Sequence, residues 1–271
     1  MRAVVCIKQV IDPLIPPASL QVVPEGPDLE VKEGSQPVPN GFDLQALEAA
    51  LRIRDDRGDL EIIAVVSGAD LHDDVLKRTV GPLVDDLVLV DDRETRPWDS
   101  RQIAMTLAAA IRHLGGADIV LCGRQSSDWN ASMVPHVLAA ELDLACLTLV
   151  RSLRIEDGRL HVECLADDGT RSLSADLPAL VTVTSELGEL RYPTGKERLA
   201  AARRRPRLLD RESLDIADGS APLVTVTAIE IPVMTSNCEF IEAASGEEAG
   251  RELARVLMDR GMASVRKGGT Q

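Results

Sequence analysis

The chain has 271 residues, of which 45% are hydrophobic and only 2% aromatic, and its 30 basic and 44 acidic side chains give a net charge of −14. This hydrophobic fraction supports a sizeable aliphatic core and excludes a wholly disordered chain. A nucleic-acid partner is disfavoured on two grounds, because phosphate binding needs a basic surface and single strands stack on aromatic side chains.

The sequence contains no feature that indicates a membrane span or a metal site. No run of 18 apolar residues occurs, and the apolar start of the chain is too short for a signal peptide. The five cysteines and four histidines are scattered, without a Cys-x-x-Cys pair or a metal-binding spacing. We therefore expect a cytoplasmic protein with reduced thiols and no metal.

Short apolar runs alternate with helical patterns in the first half of the chain. Parallel strands are predicted for the runs rich in Val, Ile and Leu, at residues 3–7, 60–66, 86–90 and 118–122. Amphipathic helices are predicted at residues 43–57, 71–80, 100–114 and 132–142. Asn40 is the expected N-cap of the first helix, with Asp43 completing a capping box. The alternation predicts an α/β fold, in which a parallel sheet carries helices on both faces and has right-handed crossovers.

Two segments are predicted to interrupt this alternation. The proline-rich segment 13–39 indicates a long loop or an extended ribbon, and loops of this length are often functional. After Thr148, two turn sequences, Asp157-Gly158 and Asp168-Gly169, predict an antiparallel β-hairpin insertion. Its strands are expected at residues 149–155, 159–165 and 170–173.

The rest of the chain is predicted to complete the sheet and then leave it. The expected elements are a buried strand at 180–184, a basic helical run at 200–205, a strand at 223–231, a linker at 234–245 and an amphipathic helix at 247–260. We therefore expect a body formed by residues 1–233 and a C-terminal arm formed by residues 234–271.

One loop, residues 122–132, has the features of an anion-binding site. It follows a buried strand and leads into a helix, so it lies at the carboxyl end of the sheet, where open α/β sheets bind ligands. The N-terminus of the helix offers free N–H groups, Gly123 permits close approach, and the three serines of the loop offer hydroxyls. From these residues alone, the loop either binds a nucleotide-type ligand or is a polar connection.

The basic run Arg203-Arg204-Arg205 also has two possible interpretations. It is either a solvated helix face or a docking surface for an acidic partner.

Several short motifs follow one another in a recognisable order. They are Val4-Val5-Cys6-Ile7-Lys8-Gln9-Val10-Ile11-Asp12, Asn40-Gly41-Phe42-Asp43, Leu121-Cys122-Gly123-Arg124-Gln125-Ser126-Ser127-Asp128, Leu177-Pro178-Ala179-Leu180-Val181-Thr182-Val183 and Leu190-Arg191-Tyr192-Pro193. In order and spacing, over nearly the whole chain, this series resembles the β subunits of electron transfer flavoproteins, including the nitrogen-fixation-associated branch. The resemblance implies a Rossmann-like sheet of the adenine-nucleotide-hydrolase type.

The resemblance also implies a function, which is electron transfer rather than substrate turnover, without catalytic residues. It implies a heterodimer with a homologous α subunit, which exchanges electrons with a flavin dehydrogenase or a quinone reductase. The FAD of this family lies mainly on the α subunit at the interface. The β subunit holds AMP, or a second FAD in the electron-bifurcating branch.

Residues that match the family's cofactor site are the candidate cofactor-binding residues of this chain. They are Cys6, Asn40, Gly41, Phe42, Asp43, Ser67, Gly68, Gly123, Arg124, Gln125, Ser126, Ser127, Asp128, Ser132, Met133 and Val134. Met133 and Pro135 stand where the family has glutamine and glycine. Because Met133 has no side-chain amide and Pro135 has no backbone N–H, we predict that phosphate groups are held less tightly than in the family.

Two other functions remain open from the sequence. One is a degenerate β-like scaffold subunit that binds no nucleotide, which the ligand content of the purified protein would distinguish. The other is a free-standing adenine-nucleotide-binding module, which would have no use for the residues beyond Leu149.

Overall fold

The computed structural model describes residues 1–23, 29–32, 35–214, 216, 224–231 and 238–262. The chain divides into two compact units, Met1–Ile231 and Pro232–Gln271, and the predicted boundary lies two residues beyond this division. The strands are β1 Arg2–Ile7, β2 Gln9–Val10, β3 Leu20–Val22, β4 Leu29–Val31, β5 Val38–Pro39, β6 Glu61–Gly68, β7 Asp86–Asp91, β8 Ile119–Gly123, β9 Ala145–Glu156, β10 Arg159–Ala166, β11 Gly169–Asp176, β12 Ala179–Val183 and β13 Arg207–Asp210. The helices are α1 Gly41–Arg57, α2 Asp73–Thr79, α3 Ser100–His113, α4 Val134–Leu142, α5 Gly195–Ala202 and α6 Gly246–Asp259.

The first unit is built around one sheet with the strand order β11-β10-β9-β12-β8-β1-β6-β7-β13. The strands from β12 to β13 pair in parallel, which confirms the predicted α/β class. The chain passes from β1 to β6 and β7 on one side, and then crosses to β8 on the other side of β1. In an open α/β sheet such a reversal creates a crevice at the carboxyl ends of the strands, here between β1 and β8.

Helices cover both faces of this sheet, as the sequence predicts. Val5 and Ile7 belong to the cluster that includes α1 and α2, whereas Val4 and Cys6 belong to the cluster that includes α3 and α4. Successive side chains of a strand point to opposite faces, so a strand that is buried on both faces reads as a continuous apolar run. The apolar composition of β1 is therefore a direct consequence of its central position.

The antiparallel insertion is present, but it is continuous with the main sheet. The first residues of β9 pair in parallel with β12, and the remainder pairs antiparallel with β10, which in turn pairs with β11. Asp157 and Gly158 both adopt positive φ, of 49° and 76°, as a two-residue hairpin turn of this type requires.

Of the two alternatives predicted for the proline-rich segment, the structure has the ribbon, whereas two other expectations about the chain path need correction. The proline-rich segment is a ribbon in which β2 pairs with β5 and β3 pairs with β4. Residues 224–231, predicted as part of a strand, form no ladder with any described residue; Val224 is 57% exposed, and β-branched composition cannot make a strand without a partner. The basic run Arg203–Arg205 follows α5 instead of lying within it, because the helix ends at Ala202.

None of the helices in the described part of the chain has the length and hydropathy that a bilayer crossing would require.

Candidate functional site

A cleft of about 810 Å³ opens at the carboxyl ends of β1, β6 and β8. Its volume lies in the upper part of the range of roughly 300–1,000 Å³ that is typical of ligand sites. The floor comes from the strand ends, and one wall comes from the loop between β8 and α4. Apolar residues of the ribbon line it as well, namely Pro13, Ile15, Pro17, Leu20, Leu29 and Pro37.

Asp43, in the first turn of α1, joins the ends of the two strands that border the crevice. Its Oδ2 accepts a hydrogen bond from the N–H of Lys8 at 2.8 Å, and its Oδ1 accepts one from the N–H of Gly123 at 3.1 Å. Desolvation by burial raises the pKa of this carboxyl to about 7, although these bonds and Asn40 act in the opposite direction. The carboxyl therefore titrates near neutral pH.

Asn40 fixes the loop that follows β8. Its Nδ2 donates to the carbonyl of Gln125 at 2.8 Å, and its Oδ1 accepts from the N–H of Ser127 at 3.2 Å. Asn40 occupies the N-cap position of α1, as predicted, but its side chain makes no capping bond. The predicted capping box with Asp43 is therefore wrong, because both side chains are engaged across the crevice.

The loop itself carries a strained backbone. Asn130 and Ser132 have positive φ, of 52° and 54°, and such conformations cluster at ligand sites in non-glycine residues. The helix α4 begins at Val134, with Met133 at its N-cap and Pro135 in its first turn. Its amino terminus faces the cleft, since all three of these residues line it.

Lys8 supplies the one basic side chain among the described residues that line the cleft, and that side chain is already paired. Its Nζ lies 2.7 Å from the Oδ2 of Asp128. Asp12, Asp70 and Asp92 add acidic groups to the lining. An anionic ligand in this cleft would consequently depend on backbone N–H groups and hydroxyls for its phosphate contacts, with little help from free cations.

Asp92 is a buried carboxyl at the end of β7. Burial works against its ionisation, but the hydrogen bonds from Thr106 and Thr95 and the charge of Arg211 outweigh burial and lower its pKa. The Nη1 of Arg211 lies 3.2 Å from the Asp92 Oδ1, which ties the segment after β13 to this edge of the cleft.

Cys6 and Cys122 lie side by side beneath the ligand space. They are directly opposite each other in the register of β1 and β8, and both are buried. Contact with Cys6 and burial raise the pKa of Cys122 well above its ordinary value. The Cys122 thiol is therefore protonated at physiological pH and is a weak nucleophile.

Most of the predicted site residues lie together around the cleft. Those in its lining are Cys6, Asn40, Asp43, Ser67, Gly68, Gly123, Gln125, Ser126, Ser127, Asp128, Ser132, Met133 and Val134. Gly41, Phe42 and Arg124 are outside that lining. The Arg124 guanidinium packs over the Phe42 ring, 5.0 Å from its centroid, so it does not reach the ligand space as the phosphate contact that its position in the loop suggests.

Sequence reasoning missed several residues of this site. Lys8, Asp92 and Thr95 line the cleft, and so does the apolar face of the ribbon. Lys8 follows directly on a predicted strand and Asp92 lies two residues beyond the end of another, which is a usable signal in a parallel sheet. The ribbon has no periodicity from which its inner face could be predicted.

The chain is similar to a set of related proteins over most of its length. A family model described as "Electron transfer flavoprotein domain" matches residues 28–207. The "Electron transfer flavoprotein subunit beta" of Megasphaera elsdenii is 31% identical over 229 residues, covering 82% of this chain and 83% of the relative. The "Caffeyl-CoA reductase-Etf complex subunit CarD" of Acetobacterium woodii is 32% identical over 192 residues, 71% of each chain. "Protein FixA" of Sinorhizobium fredii is 32% identical over 210 residues, 75% of this chain and 72% of the relative.

Proposed function

The chain belongs to the electron transfer flavoprotein family, and we propose that it is the β subunit of a heterodimeric electron transfer flavoprotein that passes electrons between flavin dehydrogenases and a downstream acceptor. The observation that carries the proposal is the cleft at the β1–β8 crevice, because the residues that match the family's cofactor motifs converge on it. A bound flavin would supply the electron-carrying chemistry, and the chain would bind and orient it.

We propose that the cleft of this subunit holds an adenine nucleotide. The N–H groups in the first turn of α4 and the hydroxyls of Ser126, Ser127 and Ser132 are suited to phosphate oxygens. The apolar side of the ribbon is suited to a flat ring. A cleft with one wall of phosphate-binding groups and one apolar wall fits a ligand that is anionic at one end and aromatic at the other.

The size of the cleft favours FAD over AMP. A volume of about 810 Å³ exceeds what a mononucleotide fills, and the ribbon extends the apolar surface beyond the phosphate loop. We expect weak phosphate contacts in this cleft, because Lys8 is already paired and because methionine and proline occupy positions 133 and 135. If the purified complex retains no nucleotide in this cleft, the same features favour the scaffold alternative.

Ligand analysis of the complex copurified with its α partner tests this assignment. We expect the denatured complex to release more than one FAD per heterodimer, measured by visible absorbance and mass spectrometry. One FAD with one AMP would support the mononucleotide. One FAD without AMP would support the scaffold role, and the complete absence of flavin would contradict electron transfer.

The α subunit would be bound partly through the C-terminal arm. The helix α6 is amphipathic, and none of its 14 residues is buried; Leu253 and Met258 are 48% and 43% exposed. An isolated amphipathic helix of this length is marginal in water and gains stability from a partner surface. We therefore propose that the arm packs on the α subunit.

Truncation of the arm tests the pairing. Removal of residues 234–271 should abolish copurification with the α subunit, and Leu253→Glu should weaken it. Arg251→Ala, on the opposite side of α6, is the matched control and should leave the complex intact. Complex formation by the truncated chain would overturn the assignment of the arm.

A further inference from the structure

The two tryptophans of the chain, Trp98 and Trp129, contact each other beside the cleft. Their ring centroids are 5.3 Å apart, and the ring planes are inclined by 53°. They come from different loops, Trp98 from the loop after β7 and Trp129 from the loop after β8. Only 2% of the chain is aromatic, and its core is aliphatic, so pairing both tryptophans at one surface site is not explained by core packing.

Trp129 is held in place from several directions. The Oδ1 of Asp128 accepts a hydrogen bond from the N–H of Trp129 at 2.7 Å, and the N–H of Asn130 donates to the carbonyl of Ser126 at 3.1 Å. The Nζ of Lys8 pairs with Asp128 and reaches the carbonyl of Pro97 at 3.5 Å, which links the two loops. These bonds fix the backbone around Trp129, and its ring contacts Trp98, so packing of a ligand on the ring costs little conformational entropy.

Trp129 is nevertheless incompletely buried, and it lines the cleft. We propose that Trp129, supported from behind by Trp98, is the stacking wall for the planar heteroaromatic ring of the bound nucleotide, either adenine or isoalloxazine. This inference depends on the proposed function, since it names how the ligand of that cleft is recognised. Trp98 is a positioning residue in this arrangement, because it acts through the ring of Trp129.

The charges around the cleft also favour recognition of the ligand through its ring. Its single described basic side chain is neutralised by Asp128, and four further acidic side chains line it, namely Asp12, Asp43, Asp70 and Asp92. Phosphate contacts alone therefore contribute modest affinity, and a ring contact becomes the main determinant of binding. Stacking of a base on an aromatic side chain is tolerant of the identity of the ring, which suits either of the two ring systems.

Intrinsic fluorescence gives a direct test, because every tryptophan of the full chain belongs to this pair. We would titrate the dialysed full chain with AMP, adenosine, riboflavin and ribose 5-phosphate, and measure the affinity of each by equilibrium dialysis in parallel. AMP and adenosine quenching would assign the wall to adenine, and quenching by riboflavin alone would assign it to isoalloxazine. Ribose 5-phosphate, which has no ring system, should neither quench nor compete.

Two variants separate stacking from folding. Trp129→Leu should weaken binding of the ring-bearing ligand by about tenfold, whereas Trp129→Phe should retain most of the affinity, because a smaller ring still stacks. Tyr192→Leu is the matched control, because it removes an exposed aromatic side chain that is outside the cleft lining, and it should preserve affinity. If the Leu variant fails to fold, the wild-type titration still tests the wall, because ring-bearing ligands that bind without quenching the tryptophan fluorescence would contradict it.

The outcomes distinguish this inference from the proposed function. Unchanged affinity in Trp129→Leu, or competition by ribose 5-phosphate as strong as that by AMP, would overturn the stacking wall and leave the nucleotide site standing. If dialysis detected no binding of AMP, adenosine, riboflavin or FAD to the wild-type chain, the nucleotide site itself would be rejected, and the stacking wall with it.

Discussion

Gly123 and Asp43 approach each other so closely that position 123 has no room for a side chain. A Cβ atom built there would lie 2.4 Å from the Asp43 Oδ1 and 2.6 Å from the Phe42 carbonyl carbon. The approach exists because the N–H of Gly123 donates to Asp43, which at the same time accepts from the N–H of Lys8. One carboxyl thus sets the spacing between the ends of β8 and β1 at the crevice where the cleft opens.

Gly123→Ala should therefore destabilise the fold and deform the cleft. Crowding of this kind costs about 1–3 kcal/mol, and the atoms in conflict here are mainly backbone, which cannot turn aside. Urea unfolding should show the loss. Gly41→Ala is the matched control, because a Cβ there meets nothing within 4 Å, and it should be neutral or slightly stabilising. Equal stability of the two variants would refute the steric account.

Asp43 should make stability depend on pH in an unusual direction. Its pKa is raised from 3.8 in the unfolded chain to about 7 in the folded protein, mainly by burial, so the folded state holds a proton that the unfolded state releases. Its contribution is fully present below pH 4 and is lost as the pH rises through about 7, by on the order of 4 kcal/mol in total.

The difference between wild type and Asp43→Asn isolates this effect. Wild-type stability should fall relative to the variant between pH 5 and pH 8, as measured by urea unfolding across that range. Asp118→Asn is the matched control, because Asp118 accepts the N–H of Arg2 at the opposite end of β1. A stability difference between wild type and Asp43→Asn that does not change with pH would contradict the assignment.

Glu48 holds the segment after β12 against α1. It is 4% exposed, and it accepts hydrogen bonds from the backbone N–H and the guanidinium of Arg191 and from Arg52. Burial raises its pKa, but the bonds from Arg191 and Arg52 outweigh burial and lower it overall. Its stabilisation is therefore present above the unfolded value of 4.5 and is lost as the pH falls through the lower folded value.

Glu48→Gln should cost roughly 2–3 kcal/mol, since the charge-assisted bonds to Arg191 are weakened in a buried position. Asp55→Asn removes the exposed partner of the same arginine, and it should cost less than about 1 kcal/mol. Thermal unfolding at neutral pH gives both values. A larger loss for Asp55→Asn than for Glu48→Gln would reverse the roles assigned here.

All three arginines of the basic run after α5 are exposed, but the charge of one of them is bound by the fold. The guanidinium of Arg204 donates to the carbonyls of Gly81, Val84 and Asp85, so its charge is committed to the fold. Arg203 and Arg205 are exposed. Of the two alternatives left open for the run, a docking surface would therefore depend on these two residues.

Charge reversal at Arg203 and Arg205 should slow electron exchange with an acidic redox partner, and the effect should weaken as salt is added. Stopped-flow rates at low and high ionic strength measure it. Reversal of Arg159 and Arg171 gives the same net charge at the opposite edge of the sheet, and it serves as the control. Equal rates for the two double variants would leave the run without a role in docking.

The central strands and helices could be predicted from the sequence, because the local residue pattern and the tertiary packing favour the same structure there. Central parallel strands must be apolar on both faces, so runs such as β1 are readable without knowledge of their neighbours. The four-residue strand β13 was missed, because it lies beside a basic run and depends on pairing with β7. Elements such as β13, which depend on long-range pairing, could not be predicted, because such pairing leaves no periodic pattern in the sequence.

The same distinction applies to the candidate site. Asn40 and Asp43 were predicted to cap a helix, and their position at its start is correct. Their side chains instead bind partners more than thirty residues away in the chain, which a local motif cannot reveal. The pairing of Trp98 with Trp129 has the same character, since neither loop indicates the other.

The replacements at Met133 and Pro135 should limit the affinity of the cleft for phosphate. The first turn of a helix binds anions through free N–H groups, and Pro135, in the first turn of α4, has none to donate. Met133, at the N-cap, is 53% exposed, and its side chain offers no hydrogen-bond donor. Both residues line the cleft, so a donor restored at either position lies next to the ligand.

Met133→Gln combined with Pro135→Gly should consequently raise the affinity for AMP by about tenfold, the equivalent of one good hydrogen bond. Equilibrium dialysis measures the change. Pro135→Ala separates the two effects of the second substitution, because it restores the N–H without the flexibility of glycine, and it should give part of the gain at a lower cost in helix stability. If the wild-type chain already retains a stoichiometric nucleotide through extensive dialysis, the loop serines compensate for the missing donors, and the argument from positions 133 and 135 fails.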